Sequence, residues 1–143
     1  MVQIYDELPL GSVDFSKLEG DAYKFVSRFG TGRLYPIVNS NDCWSCYEEF
    51  RKEDGAFEWP AWYPEMHHVV RGTAHIEYSL PPLHTTVQTA DVKPGDVYLM
   101  PKGSYFHWEV TSDEPFGHVV TASPSPFTDG DVYQLRYEPP GVE

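Results

Sequence analysis

Short apolar and aromatic runs separated by proline and glycine turns fill the sequence, and this alternation limits the possible folds more than any other feature. The 143 residues include 13 prolines and 11 glycines, spread along the chain. No long segment keeps the 3.6-residue apolar period of an amphipathic helix. Short runs between regular turn signals are typical of a sandwich or barrel, so the sequence predicts one all-β domain.

Nine short strands are predicted from residue 42 onward, which is the strand density of a closed or jelly-roll barrel. The segments Pro94-Gly95-Asp96 and Pro101-Lys102-Gly103 suit tight turns, because proline presets φ and glycine tolerates a positive φ. These turns bracket residues 97–100 as a short strand between two corners. The predicted strands span residues 43–50, 57–62, 65–71, 73–79, 85–89, 96–100, 106–111, 118–122 and 132–137.

Residues 1–38 are predicted to form an N-terminal arm ahead of a barrel at residues 39–143. Residues 14–29 favour only a short helical turn, because Gly20 interrupts them and Gly30-Thr31-Gly32 then breaks the chain. Such an arm either wraps its own barrel or contacts a second subunit in a homodimer. The sequence leaves both alternatives open.

Charge and cysteine content limit the partners and the compartment. The formal net charge is −12, and only ten lysines and arginines are present, scattered along the chain. Binding to nucleic acid or to an anionic membrane needs clustered basic residues, so neither partner is predicted. No stretch of 18 apolar residues occurs, and residues 1–10 lack the apolar run of a secretory signal. Cys43 and Cys46 are too few for a disulfide framework, so a cytoplasmic location is expected.

Two spaced motifs resemble those of the cupin family. Glu65 is followed after six residues by Gly72, which resembles the end of the first cupin motif. Gly95, Pro101 and Gly103 have the spacing of the second cupin motif. The two motifs are separated by about twenty residues, as they are in cupins.

The segment Trp108-Glu109-Val110 resembles the Trp-x-Val ending that is typical of one cupin subgroup. This subgroup includes ethanolamine-utilisation cupins. The resemblance covers roughly residues 42–124. It implies an all-β fold, a single cupin-type jelly-roll barrel, and pairing of two chains as a homodimer. It does not imply one reaction, because this fold carries many chemistries.

The sequence departs from metal-binding cupins at the positions that hold their metal. Those cupins carry His-x-His shortly before the glutamate, whereas residues 57–64 contain no histidine. In the second motif Phe106 stands where they have a histidine, and the histidine follows one position later, at His107. Because neighbouring strand residues point to opposite faces, His107 is expected to point outward if Phe106 and Trp108 point inward. The metal set implied by the resemblance is therefore not intact.

Glu65 and His67 are the main catalytic candidates, because they lie two residues apart on a predicted strand and so share one face. The resemblance implies that Glu65 faces the barrel interior, and His67 then does so too. A buried carboxyl and a buried imidazole both approach neutrality, which suits a general acid–base pair. The same pair could instead ligate a metal or close the barrel structurally. Tyr105, beside the expected barrel mouth, is the candidate donor to an oxyanion.

Six further side chains are candidates for binding a substrate. Aromatic rings offer a flat wall to a planar ligand, although the same rings serve equally well in a core. Tyrosine hydroxyls would bind a carbonyl or phenolate oxygen, and a histidine at the start of a late strand would add a third polar group. These candidates are Trp59, Tyr63, Tyr98, Phe106, Trp108 and His118.

Three functions remain open on the sequence alone. The first is an enzyme that moves protons within a small carbonyl-containing or aromatic substrate, by isomerase, cyclase or lyase chemistry and with no required cofactor. The second is a metal-dependent dioxygenase or lyase with a divalent Zn, Fe or Ni ion on an altered ligand set. The third is a module that binds a ligand without turning it over. The altered ligand set would comprise Glu65, His67, His107 and His118.

Overall fold

The computed structural model describes residues 4–126, which form ten strands in two antiparallel sheets. The six-stranded sheet has the order β1-β2-β3-β10-β5-β8, and the four-stranded sheet has the order β4-β9-β6-β7. The two sheets close into a jelly-roll barrel around a common core, as the sequence predicts. The strands are β1 Lys24–Ser27, β2 Gly30–Asn39, β3 Trp44–Phe50, β4 Phe57–Pro60, β5 Glu65–Arg71, β6 Ala74–Ser79, β7 Gln88–Val92, β8 Val97–Met100, β9 Tyr105–Val110 and β10 Phe116–Ala122.

Strict alternation along β5 and β9 gives the barrel an inner and an outer face. On β5, Glu65 and His67 are buried, while Met66 between them is exposed. On β9, Phe106 and Trp108 are buried in the same way. Successive strand side chains point to opposite faces, so these residues fix which side chains enter the interior.

Aromatic rings fill the space between the two sheets. Phe50 stacks on Phe57 with ring centroids 4.4 Å apart, and Trp108 packs against both rings. Trp108 is only 1% exposed, so this ring lies in the core rather than in a solvent-accessible wall. Burial of rings of this size is a large part of what stabilises a barrel of this length.

Both predicted turns are present and position β8. Gly95 and Gly103 have φ values of +96° and +87°, in the region that favours glycine. Asp96 stabilises the first turn, because its Oδ2 accepts a hydrogen bond from the backbone N–H of Lys93 over 2.9 Å. β8 pairs with β5, which places Tyr98 directly opposite His67.

Residues 24–39, all but the last of which the sequence assigns to the arm, include β1 and β2 at one edge of the six-stranded sheet. Pro36 lies at a register shift between β2 and β3, a position where a residue without a backbone N–H is tolerated in a sheet. The predicted helical turn is a short 3₁₀ segment, Phe15–Leu18. Its Leu18 is buried, and the Leu18 carbonyl accepts a hydrogen bond from Nη2 of Arg51. A dimer contact by residues 1–38 stays a prediction.

Most predicted strands from residue 43 onward are found within two residues of their expected bounds. The strand expected at 85–89 is displaced and runs from Gln88 to Val92. The strand expected at 132–137 lies outside the described residues. Among residues 4–126, no helix is long enough and apolar enough to span a membrane.

Candidate functional site

Glu65 and His67 lie side by side in the barrel interior. They are 5% and 1% exposed, and Nε2 of His67 is 3.2 Å from Oε1 of Glu65. The alternation of β5 puts both side chains on the inner face, as the sequence predicts. A carboxylate and an imidazole are thus held together away from bulk water.

Hydrogen bonds of defined direction surround this pair. The Trp108 indole can only donate, and its Nε1–H lies 2.9 Å from the hydroxyl oxygen of Tyr98. Tyr98 then donates its own proton to Nδ1 of His67, 3.1 Å away. With Nδ1 as an acceptor, neutral His67 carries its proton on Nε2 and donates it to Glu65. The indole of Trp59 donates to the other oxygen of Glu65 over 3.1 Å.

Burial sets the protonation of the interior groups. It lowers the pKa of His67, as does the neighbouring His118, and the carboxylates of Glu65 and Glu48 oppose that shift only in part. Burial also raises the pKa of Tyr98 well above its ordinary value. His67 is therefore a neutral imidazole and Tyr98 a neutral phenol near neutrality, consistent with the hydrogen-bond directions above.

A second carboxylate–imidazole pair faces the first, and sequence reasoning finds only half of it. Nε2 of His118 lies 2.8 Å from Oε1 of Glu48, and the rings of His118 and His67 are 4.5 Å apart. Burial lowers the pKa of His118 to about 3 and raises the pKa of Glu48 to about 7. No pattern within β3 signals Glu48, because residues on both faces of this strand are buried and the Glu48 side chain itself is 16% exposed.

A third such pair lies on the outer face of the four-stranded sheet. Nδ1 of His107 is 2.9 Å from Oε1 of Glu58, and the Tyr105 hydroxyl donates to Oε2 of Glu58 over 2.5 Å. Alternation along β9 turns His107 and Tyr105 away from the interior that Phe106 and Trp108 occupy. The structure therefore does not bring Tyr105 to Glu65 and His67 as an oxyanion donor, and it separates His107 from them.

The predicted metal ligands do not form one ligand set. His107 is outside the barrel, His67 is hydrogen-bonded to Glu65, and His118 is hydrogen-bonded to Glu48. Within residues 4–126, no three histidine, cysteine, aspartate or glutamate side chains are arranged to hold a metal ion. The donors present therefore do not fit the three-histidine and glutamate centre of metal-binding cupins.

Two of the predicted wall residues line a cavity of about 260 Å³. The rings of Tyr78, Phe106 and Tyr98 stack in series, with centroid separations of 5.2 and 6.0 Å. Tyr98 thus belongs both to this cavity and to the hydrogen bonds of His67. The remaining lining is almost entirely aliphatic: Ile76, Leu80, Ala90, Val92, Leu99 and Pro101.

The other predicted wall residues lie elsewhere. Trp59 packs edge-on against Phe29, with centroids 5.1 Å apart, and contacts Glu65 through its N–H. Tyr63 packs against Trp62 and Trp44 in a separate apolar cluster. Trp108 lies in the main core and contacts the site through its indole N–H.

Comparison with solved structures shows that the chain has the cupin fold. The EutQ protein of Clostridium difficile aligns with a TM-score of 0.52 at 16% identity, over 68% of this chain and 71% of that one. The EutQ ethanolamine-utilisation protein of Salmonella typhimurium aligns with a TM-score of 0.51 at 22% identity, over 65% and 69% of the two chains. No protein-family model and no curated protein matches the sequence.

An enzyme is also among the structural neighbours. An oxalate decarboxylase from Bacillus subtilis, a protein with Mn(II) centres, aligns with a TM-score of 0.56 at 19% identity. The alignment covers 78% of this chain but only 29% of the decarboxylase. At these identities the likeness establishes the fold, and the reaction has to be argued from the side chains.

Proposed function

We propose that this chain is a small-molecule enzyme that moves protons within a carbonyl-containing or aromatic substrate, by isomerase, cyclase or lyase chemistry. The observation that supports it is the buried Glu65–His67 pair, which three further hydrogen-bond donors hold in one arrangement. Buried ionisable groups destabilise a fold unless they are compensated, so two of them side by side favour a functional role. No metal is needed for this chemistry.

Glu65 is the proton acceptor in this proposal. Its carboxylate takes a proton from a carbon next to the substrate carbonyl, exchanges it with solvent, and returns a solvent-derived proton to the substrate later in the cycle. The N–H groups of His67 and Trp59 orient the carboxylate from two sides. A general base held in this way contributes about 10²- to 10⁴-fold to a rate.

Tyr98 connects the proton-transfer pair with the aromatic cavity. Its ring lines the cavity together with Phe106, and its hydroxyl contacts Nδ1 of His67. A flat substrate stacked on these rings would lie next to the hydrogen-bonded pair. The cavity volume of about 260 Å³ suits a single small ring compound.

Deuterium exchange into simple model substrates tests the proposal. Aryl ketones with an enolisable C–H are incubated with the protein in D₂O, and exchange is followed by NMR. We expect catalysed exchange that falls by about 10²-fold or more in Glu65→Gln and in His67→Ala. Glu58→Gln and His107→Ala are matched controls, because they change the corresponding pair on the outer face. Exchange that survives both interior substitutions would exclude the acid–base role.

The apolar cavity favours a second candidate, a module that binds a ligand without converting it. Apart from Tyr78 and Tyr98, the described residues that line it offer no side-chain hydrogen-bonding group. Ala90→Leu would fill the cavity and leave the buried pair unchanged. Saturable binding of an aryl ketone to the native chain, lost in Ala90→Leu and accompanied by no exchange, would support this candidate over the enzyme.

A further inference from the structure

His118 contains a buried polar atom that has no partner among the described residues. The side chain is fully buried, and its Nε2 is paired with Glu48 at 2.8 Å. Its Nδ1 has neither water-accessible surface nor a hydrogen-bond partner within residues 4–126. An unpaired buried nitrogen of this kind is unfavourable, so it commonly marks the place of a ligand atom or an ordered water.

His118 lies beside His67, the hydrogen-bond partner of the proposed base. The His118 ring lies 4.5 Å from the His67 ring, and its remaining ring neighbours are aromatic. Phe50 and Phe116 lie 5.4 and 5.2 Å away, centroid to centroid. A substrate that reaches Glu65 therefore has one further polar group available nearby, surrounded by rings that exclude water.

We propose that His118 donates a proton from Nδ1 to a substrate oxygen, and that Glu48 supplies the replacement proton through Nε2. In this step the Nδ1–H bond breaks as an O–H bond forms on the substrate carbonyl. The O–H bond of Glu48 breaks as an Nε2–H bond forms, which leaves His118 neutral and Glu48 ionised. His118 is then a catalytic residue, and Glu48 acts through it.

The inference rests on the proposed function, because it supplies the acid that an enolising base requires. Glu65 takes the carbon-bound proton while His118 protonates the carbonyl oxygen, and the substrate becomes an enol with no net charge. Reversal returns the oxygen proton to Nδ1, the Nε2 proton to Glu48 and the Glu65 proton to carbon. In D₂O the carboxylic acid of Glu65 exchanges its proton for a solvent deuteron before the reversal, so each such cycle replaces C–H by C–D and the exchange assay reports both groups.

The charges around Glu48 are consistent with a proton donor. Burial raises its pKa to about 7, and the nearby His67 opposes this shift. The titratable groups that face it are His118 on β10, His67 and Glu65 on β5, and Tyr98 on β8, with Cys46 on its own strand. Its pairing partner on β2, Leu34, adds no charge. Glu48 therefore keeps a large fraction of its proton near neutral pH.

Glu48→Gln tests the inference in the exchange assay. The amide can still hydrogen-bond to His118 but cannot deliver a proton, so we expect exchange to fall by about 10²-fold with little change in substrate affinity. In the native chain the exchange rate should fall as pH rises through about 7, and this decrease should be absent in Glu48→Gln. Glu48→Asp should restore part of the rate, which a purely structural role would not predict. Glu58→Gln is again the outer-face control.

Nitrogen-15 NMR of the histidines separates this inference from the proposed function. If Glu48 and His118 share a proton, the proton of the neutral His118 ring moves from Nδ1 to Nε2 as pH rises through about 7. The nitrogen-15 shifts of the two ring nitrogens then change places while the ring stays neutral. Shifts that do not change with pH, together with full exchange in Glu48→Gln, would refute the inference and leave the Glu65 base in place. Exchange unaffected by Glu65→Gln would refute both, because the acid then has no partner base.

Discussion

The indole N–H of Trp59 donates a hydrogen bond to Oε2 of Glu65 over 3.1 Å. Trp59 lies in the segment in which metal-binding cupins carry His-x-His, and Glu65 matches the glutamate of their first motif. The other oxygen of Glu65 accepts from Nε2 of His67 at 3.2 Å. The glutamate of the cupin motif is thus kept in this chain, and its nearest partners are two N–H donors.

Trp59→Phe removes one donor from this buried carboxylate. We expect a loss of about 2 kcal/mol in the free energy of unfolding, because hydrogen bonds to charged groups stabilise by about 1.5–3 kcal/mol. Urea unfolding measures the loss. Tyr105→Phe is the matched control, since it removes a donor from the half-exposed Glu58 and should change stability by less than about 0.5 kcal/mol. Equal losses in the two variants would contradict the assignment.

A double-mutant cycle separates this hydrogen bond from the volume that Trp59→Phe also removes. Trp59→Phe is combined with Glu65→Leu, which takes away the acceptor. Because either single substitution abolishes the bond, we expect a coupling energy of at least about 1 kcal/mol. A coupling energy near zero would mean that the indole contributes packing alone.

Tyr98→Phe should be among the most destabilising substitutions of a single hydroxyl in this chain. It leaves both the Trp108 N–H and Nδ1 of His67 without their partner in the interior. Each buried group left unpaired costs about 1–3 kcal/mol, so we expect a loss of about 3 kcal/mol. Tyr78→Phe is the control, because that hydroxyl bonds to Gln88 at 3.3 Å in an exposed position. Thermal melts of similar midpoint for the two variants would disprove the role of the Tyr98 hydroxyl.

Sequence patterns within a single strand predict the parts of the site that lie on that strand. A period of two puts Glu65 and His67 on one face of β5, and the structure has both in the interior. The same rule turns His107 outward once Phe106 and Trp108 are inward, and the structure agrees. The two glycine turns around β8 also follow from sequence, because their positive φ values need glycine.

Contacts between strands that are far apart in the chain cannot be predicted from patterns within one strand. Glu48 meets His118 because β3 and β10 pair in register, with 70 residues between them in the chain. No local pattern fixes that register, so Glu48 is missed although its strand is predicted. β2 is missed for another reason: Gly30, Gly32 and Pro36 argue against a strand locally, and pairing with β3 outweighs them.

Gly72→Ala should destabilise the barrel through a steric clash as well as backbone strain. Gly72 has a φ of +69°, and a Cβ there would lie 2.3 Å from the carbonyl oxygen of Pro115. Gly55 has a φ of +82°, but among the described residues no atom beyond its chain neighbours lies within 4 Å of the same position. Gly55→Ala therefore measures strain alone, which is about 1 kcal/mol. We expect Gly72→Ala to lose at least about 2 kcal/mol more in urea unfolding, and equal losses would rule out the clash.

Glu48→Gln should change how stability depends on pH, and the sign follows from the direction of the pKa shift. The folded protein raises the pKa of Glu48 from 4.5 to about 7, so the carboxyl favours the folded state most below pH 4.5 and loses that contribution as pH rises to 7. Glutamine does not titrate, whereas His67 and His118 are present in both proteins. We therefore expect the stability of Glu48→Gln relative to the native chain to rise between pH 4.5 and 7, by on the order of 2 kcal/mol.

Urea unfolding of both proteins at pH 4.5, 5.5, 6.5 and 7.5 measures this dependence, and Glu58→Gln supplies a control of opposite sign. The hydrogen bonds from Tyr105 and then from His107 lower the pKa of Glu58, so its contribution is lost as pH falls rather than as it rises. Relative to the native chain, Glu58→Gln should therefore gain no stability between pH 4.5 and 5.5, whereas above that interval the loss of the contact that raises the pKa of His107 adds a rise of its own. A parallel pH dependence of the native chain and Glu48→Gln would mean that Glu48 is ionised throughout this range. It would then be unable to supply the proton proposed for His118.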